Sequence, residues 1–189
     1  MPRGKRQAGF IGLIVGGRGT GKSTYINNSI IGKSKKKTLI FDTDENLVYA
    51  HIPLIHIEEL DKLATWESGI YRIIDIDYEY VFQKLNAYVS DALLIIEDAT
   101  KYISNRAKAD IKKLVLGSKQ RRIDMLFTFH SFRSIPPDLC GYSDMVEIFK
   151  TGESLREFKH KIPIHLVLPT FEKVNAHRSR FYHKTAPMR

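Results

Sequence analysis

The chain has 189 residues, 43% of them apolar, a single cysteine (Cys140) and a formal net charge of +9 at pH 7. That size suits one domain, 1–189, with a sizeable core, and no apolar run approaches the ~17 residues of a membrane-spanning helix. A lone cysteine excludes a disulfide framework and implies a reducing, cytoplasmic setting.

The basic start, Met1-Pro2-Arg3-Gly4-Lys5-Arg6, leads into a short strand, Phe10 to Val15, and not into a signal-peptide core. Gly16, Gly17, Arg18, Gly19, Thr20, Gly21, Lys22, Ser23 and Thr24 follow. They fit G-x-x-x-x-G-K-[ST] at every fixed position, and a helix can continue to about Ile31. Strand, glycine-rich loop and helix are the setting a phosphate-binding P-loop needs. The loop's N–H groups converge on one hollow, and the helix points its positive end there. Lys22 is expected on the β- and γ-phosphates of ATP and the Ser23 hydroxyl on Mg²⁺, with Thr24 behind it. The alternative is a glycine-rich hairpin with a chance Lys-Ser.

A basic turn, Gly32 to Lys37, precedes a strand at Thr38 to Phe41. Asp42, Thr43, Asp44, Glu45 and Asn46 then stand at a strand's C-terminal end, where open α/β sheets bind ligands. They are equally good helix caps, and the cap is the preferred reading. His51 to Ile57 and Ile70 to Ile76 read as strands around a short helix, Glu58 to Glu67. Tyr78, Val81, Phe82, Leu85 and Val89 have helical spacing within Asp77 to Asp91.

Ala92 to Ile96 is a continuous apolar run and reads as a central parallel strand. Glu97 and Asp98 close it. Paired carboxylates at such a tip are the expected companions of a P-loop, one for Mg²⁺ and one to polarise the attacking water. A cap after a buried strand is the alternative. Tyr102 to about Gln120 reads as a helix with Ile103, Ala107, Ile111 and Leu114 on one face. Lys101, Lys108, Lys112 and Lys119 form a stripe on another, either a track for phosphates or a solvated surface. Asp124 to Ser131 is a further buried strand, with His130 near its tip as a γ-phosphate sensor or a structural histidine. Ile135-Pro136-Pro137 breaks the chain. A strand at Met145 to Lys150, a short helix at Ser154 to Lys161 and an apolar run at Ile164 to Leu168 follow. From Pro169 the chain is basic and carries no firm assignment.

Charge is unevenly spread. Residues 1–40 hold nine Lys or Arg and no acid, and 41–98 hold thirteen acids against three bases. Residues 101–122 return to a net +7, and 150–189 to +6. Basic blocks around an acidic middle suit a polyanion partner.

Thr38–Phe41 is too close to Gly16 to be the Walker B strand, and Leu93–Ile96 follows much later. This leaves room for an additional strand between the Walker A and Walker B strands. With Ile95 to Ala99, Arg121 to His130 and Ile135-Pro136, the set resembles the FtsK/HerA superfamily over roughly residues 8–150. It is similar to viral genome-packaging ATPases and, next, to Zot-like phage assembly ATPases. The resemblance implies an α/β, three-layer P-loop NTPase fold with a mainly parallel sheet. It implies an ATP-hydrolysing motor that moves DNA as a homo-oligomeric ring, with a capsid vertex or portal as partner. It assigns Glu97 to Mg²⁺, Asp98 to the base and His130 to the sensor position, where the family has Gln. It places Arg121 or Arg122, and more weakly Arg106, at a subunit interface as a cation acting in trans. A small-molecule or nucleoside kinase and a nucleotide-gated binding module are the rival readings.

Overall fold

The computed structural model describes residues 9–34, 37–103 and 108–189. The basic start Met1 to Arg6, Lys35 and Lys36 of the basic turn, and Arg106 and Ala107 lie outside the described residues. Seven strands form one sheet: β1 (Ile11–Val15), β2 (Lys37–Phe41), β3 (Ile70–Ile73), β4 (Ala92–Ile96), β5 (Asp124–Phe129), β6 (Met145–Phe149) and β7 (His183–Pro187). Their order is β3-β2-β4-β5-β1-β6-β7, all pairs parallel except β6–β7. The helices are α1 (Lys22–Tyr25), α2 (Tyr78–Tyr88), α3 (Thr100–Ile103), α4 (Lys108–Arg121), α5 (Pro137–Tyr142) and α6 (Ile164–Ala176).

The uninterrupted apolar runs of β1 and β4 are buried at every residue, as strands covered on both faces must be. Alternate side chains feed two cores. Ile11, Leu13 and Val15 join Phe82, Leu114 and Val167 from α2, α4 and α6. Ile14 joins Ile26, Ile31 and Tyr49 on the other face. The three layers are therefore unequal, with most helices on one side and the P-loop helix on the other. That helix is α only from Lys22 to Tyr25; it widens into a π turn at Ile26–Ile30 and tightens to 3₁₀ at Ile31–Lys33.

The strand between the P-loop strand β1 and the acid-bearing strand β4 is β5. The additional strand comes from later in the chain than both of its neighbours. Parallel register sets the C-terminal ends of β1, β4 and β5 at one edge, so Gly16, Glu97 and His130 converge.

Three expectations are corrected. His51 to Ile57 is not a strand. Pro53 lacks an N–H, and only an isolated bridge from Leu54 to Arg72 forms before a 3₁₀ helix begins at Ile57. The lysines of the stripe fall on two described helices, not on the one helix expected. Lys101 belongs to α3 and pairs with Asp44, while Lys112 on α4 lies 3.6 Å from Asp138. The unassigned C-terminal stretch is structured: α6 runs through Pro169 with Val167, Phe171 and Val174 buried, and β7 closes the sheet.

Candidate nucleotide-binding site

The P-loop is pinned between two strands. The Gly16 N–H donates to Phe129 O at 3.2 Å and the Gly17 N–H to Lys150 O at 2.9 Å. Gly16 passes so close to Phe149 that a Cβ there would lie 2.4 Å from that residue's own Cβ. Gly21, at φ 93°, makes the left-handed turn that starts α1. The Thr20 hydroxyl donates to Gly17 O at 2.8 Å, while Arg18, Gly19 and Thr24 face solvent. Lys22 is only 7% exposed. Its ammonium donates to Gly16 O at 2.7 Å and Gly17 O at 3.1 Å, and lies 3.3 Å from His130 Nδ1. Burial pushes the Lys22 pKa down, against the pull of Glu97 and Asp98.

His130 stands at the tip of β5, as expected. Facing an ammonium, its Nδ1 is the acceptor, which places the ring proton on Nε2, 3.7 Å from Asp98 Oδ2. Burial and the neighbouring Lys22 charge hold the His130 pKa below its usual value, so the ring is neutral at pH 7.

The two acids diverge although adjacent. Glu97 turns inward, where its carboxylate accepts from the Tyr49 hydroxyl and, at 2.6 Å, from Thr128 Oγ1. Burial raises its pKa, with the hydroxyl donors, Ser23 among them, opposing. Asp98 turns outward through a left-handed backbone, φ 43°, uncommon for a residue other than glycine. Its N–H donates to Thr128 Oγ1 at 2.8 Å, so one threonine fixes both acids. Asp98 Oδ2 lies 3.7 Å from Lys101 Nζ, and Oδ1 is buried with no hydrogen-bond partner among the described residues.

The polar stretch after β2 is both a cap and part of the site. Asp42, 1% exposed, accepts from the N–H groups of Asp44 and Asn46 at 3.3 and 2.8 Å. Asn46 caps the 3₁₀ helix Leu47–Tyr49 and donates from Nδ2 to Ser23 Oγ at 2.9 Å. One short helix thus delivers Asn46 to Ser23 and Tyr49 to Glu97. Sequence reasoning missed Asn46's contact, Tyr49 and Thr128.

Ser23 and Glu97, the residues expected on Mg²⁺, are neighbours. Among the described residues no three His, Cys, Asp or Glu side chains are placed to hold a metal. Mg²⁺ takes one or two protein ligands and completes its shell with water and phosphate oxygens, and a hydroxyl beside a carboxylate is a donor set of that kind.

Arg121 and Arg122 are not at this site. They precede β5, at the opposite edge of the sheet. Arg121 Nη1 donates to Asn86 O at 2.7 Å, and Arg122 forms a two-pronged pair with Asp91. Cations beside the phosphate loop include Lys22, Lys101, Arg180 and Arg18, whose charge reaches both Lys22 and His130.

No family model matches the chain, and no curated protein matches it. Solved structures do. The genome packaging NTPase B204 of Sulfolobus turreted icosahedral virus 2, in complex with sulfate, superposes with a TM-score of 0.74 at 18% identity, covering 95% of this chain and 91% of that one. The same protein with ATP-gammaS gives 0.72 at 17%, covering 95% and 98%. The fold is that of the P-loop NTPases. EssC (ATPases 2 and 3) from Geobacillus thermodenitrificans matches at 0.50 and 14%, covering 82% of this chain and 34% of that one.

The buried hydroxyl of Tyr49 supports a prediction. Tyr49→Phe removes one of the hydroxyl donors to the buried Glu97 carboxylate. The unfolding free energy at pH 7 is expected to fall by about 0.5–1.5 kcal/mol, the range for an intramolecular hydrogen bond. The donor favours the charged carboxylate, so the loss shrinks as pH falls and Glu97 takes up a proton. Urea unfolding of both proteins at pH 7 and pH 5 checks size and direction.

Proposed function

We propose that this chain is a Mg²⁺-dependent ATPase that couples ATP hydrolysis to DNA movement, as the motor of viral genome packaging. The observation that carries the hydrolytic part is Asp98, with one unpartnered buried oxygen and the other facing His130 and Lys101. A carboxylate so placed can accept a proton from a water lying between it and the terminal phosphate. Phosphate oxygens are stronger acceptors than the loop carbonyls that hold Lys22, so a bound triphosphate draws the ammonium away from His130. His130 is then free to report the terminal phosphate to Asp98. Ser23 and Glu97 would hold Mg²⁺, which neutralises charge on the phosphates, with Asn46 and Tyr49 orienting them.

Genome packaging is supported by the fold shared with the viral packaging NTPase and by the basic blocks of the chain. No helix of the described residues is long and apolar enough to cross a membrane. The test is phosphate release from Mg·ATP as sole substrate. A kinase would require a small acceptor, and a nucleotide-gated module would not turn over.

The ring and the trans arginine belong to this proposal. Arg121, tied to the Asn86 carbonyl, has a structural job, whereas Arg122 is exposed with Asp91 and is the candidate for a neighbour's phosphates. An arginine so supplied is worth roughly 10³–10⁵ in rate. Arg122→Ala protein is therefore expected to be inactive alone and to regain turnover when mixed with Lys22→Ala protein. Mixed assemblies that stay inactive would remove Arg122 from this role.

A further inference from the structure

We propose that the loop between α6 and β7, residues 177–182, seats the base of the nucleotide, with the Phe181 ring as its stacking surface; this rests on the P-loop reading above. The hydrolytic groups lie to one side of β1. β4 ends in Glu97 and Asp98, and β5 carries Thr128 and leads to His130. A triphosphate whose last phosphate meets Lys22, Asp98 and His130 must send its ribose and base to the other side, over β6 and β7.

The loop that stands there is built against the P-loop. Arg180 Nη2 donates to Arg18 O at 3.0 Å, and its guanidinium fills the space beside Gly19. Phe181 lies over the last glycine of the loop: its Cδ1 is 3.2 Å from where a Cβ on Gly21 would sit. The ring is nevertheless 64% exposed. The loop is held in shape. His177 and Tyr182 stack at 3.9 Å, the Phe181 N–H donates to Ser179 Oγ at 3.2 Å, and Lys150 donates to His177 O. Lys150 also accepts the Gly17 N–H through its own carbonyl, so one residue ties both loops to β6. Buried Glu147 on β6 fixes the strand beyond, 2.6 Å from His183 Nδ1.

A large apolar ring held open to solvent, in a fixed loop, beside a phosphate cradle, suits a π-face. Phenylalanine offers no hydrogen bond, so the seat accepts any purine and selects for having a base at all.

The experiment compares Mg²⁺-dependent binding of ATP, GTP and inorganic tripolyphosphate by calorimetry in wild type, Phe181→Ala and Phe181→Trp. Wild type is expected to bind all three. Phe181→Ala is expected to lose about tenfold for ATP and GTP, the scale of one base–aromatic stack, with tripolyphosphate unchanged. Phe181→Trp is expected to keep the nucleotide affinities. Unchanged ATP affinity in Phe181→Ala, with tripolyphosphate still bound, would overturn the base seat and leave the P-loop standing. Wild type that binds neither ATP nor tripolyphosphate would instead overturn the P-loop reading, and the seat with it. Because tripolyphosphate reads the cradle alone, it also shows that the Phe181 variants are folded.

Discussion

Lys22→Ala protein is expected to be folded and to release no measurable phosphate from Mg·ATP. The Lys22 ammonium is buried at a cost its lowered pKa records, and its partners are two loop carbonyls and a histidine nitrogen. Removing it relieves that desolvation, and the glycine conformations that shape the loop remain. What is lost is the charge on the β- and γ-phosphates as negative charge shifts during transfer. Losing one such donor costs about 10²–10³ in rate elsewhere, and a full cation at the transferring group costs at least that. Circular dichroism and steady-state phosphate release measure the two halves. Normal turnover by a folded variant would remove the phosphate-site assignment.

The adjacent acids are expected to fail differently. Asp98→Asn keeps Mg·ATP binding and slows hydrolysis by about 10²–10⁴, the range for a lost general base. Glu97→Gln takes a charge from beside Ser23, so the Mg²⁺ concentration for half-maximal activity rises. The directions follow from the side chains. Glu97 is turned in among Tyr49, Thr128 and Ser23, whereas Asp98 is turned out towards His130. Because burial raises the Glu97 pKa, protonation of Glu97 competes with Mg²⁺, and wild-type Mg²⁺ affinity should rise with pH. Titrating Mg²⁺ at two pH values, alongside single-turnover hydrolysis, separates the roles. A reversed pattern would exchange the two acids without moving the site.

The readings that held were those carried by local sequence. The strand, glycine loop and helix around Gly16 need only consecutive residues, and the apolar runs through Leu13, Leu94 and Phe127 are strands buried on both faces. What was not legible came from distance. Thr128 sits at an ordinary β5 position, and only the pairing of β5 with β4 shows that its hydroxyl joins Glu97 to Asp98. Tyr49 ends, and Asn46 caps, a three-residue helix that no periodicity announces. At Asp42 to Asn46 the preferred cap reading is what the structure has, and the cap also sets Asn46 against Ser23. The C-terminal helix was hidden by Pro169, which breaks the helical pattern without ending the helix. The lysine spacing says nothing of partners: Lys101 on α3 pairs with Asp44 at the site, while Lys112 on α4 lies near Asp138.

The most direct test of a DNA-moving ATPase is steady-state phosphate release from Mg·ATP, per subunit, measured without and then with duplex DNA, at several protein concentrations. Turnover without any small acceptor, raised by DNA and by protein concentration, is the predicted result. Hydrolysis that needs a small phosphoryl acceptor, or that proceeds in a monomer indifferent to DNA, would contradict it.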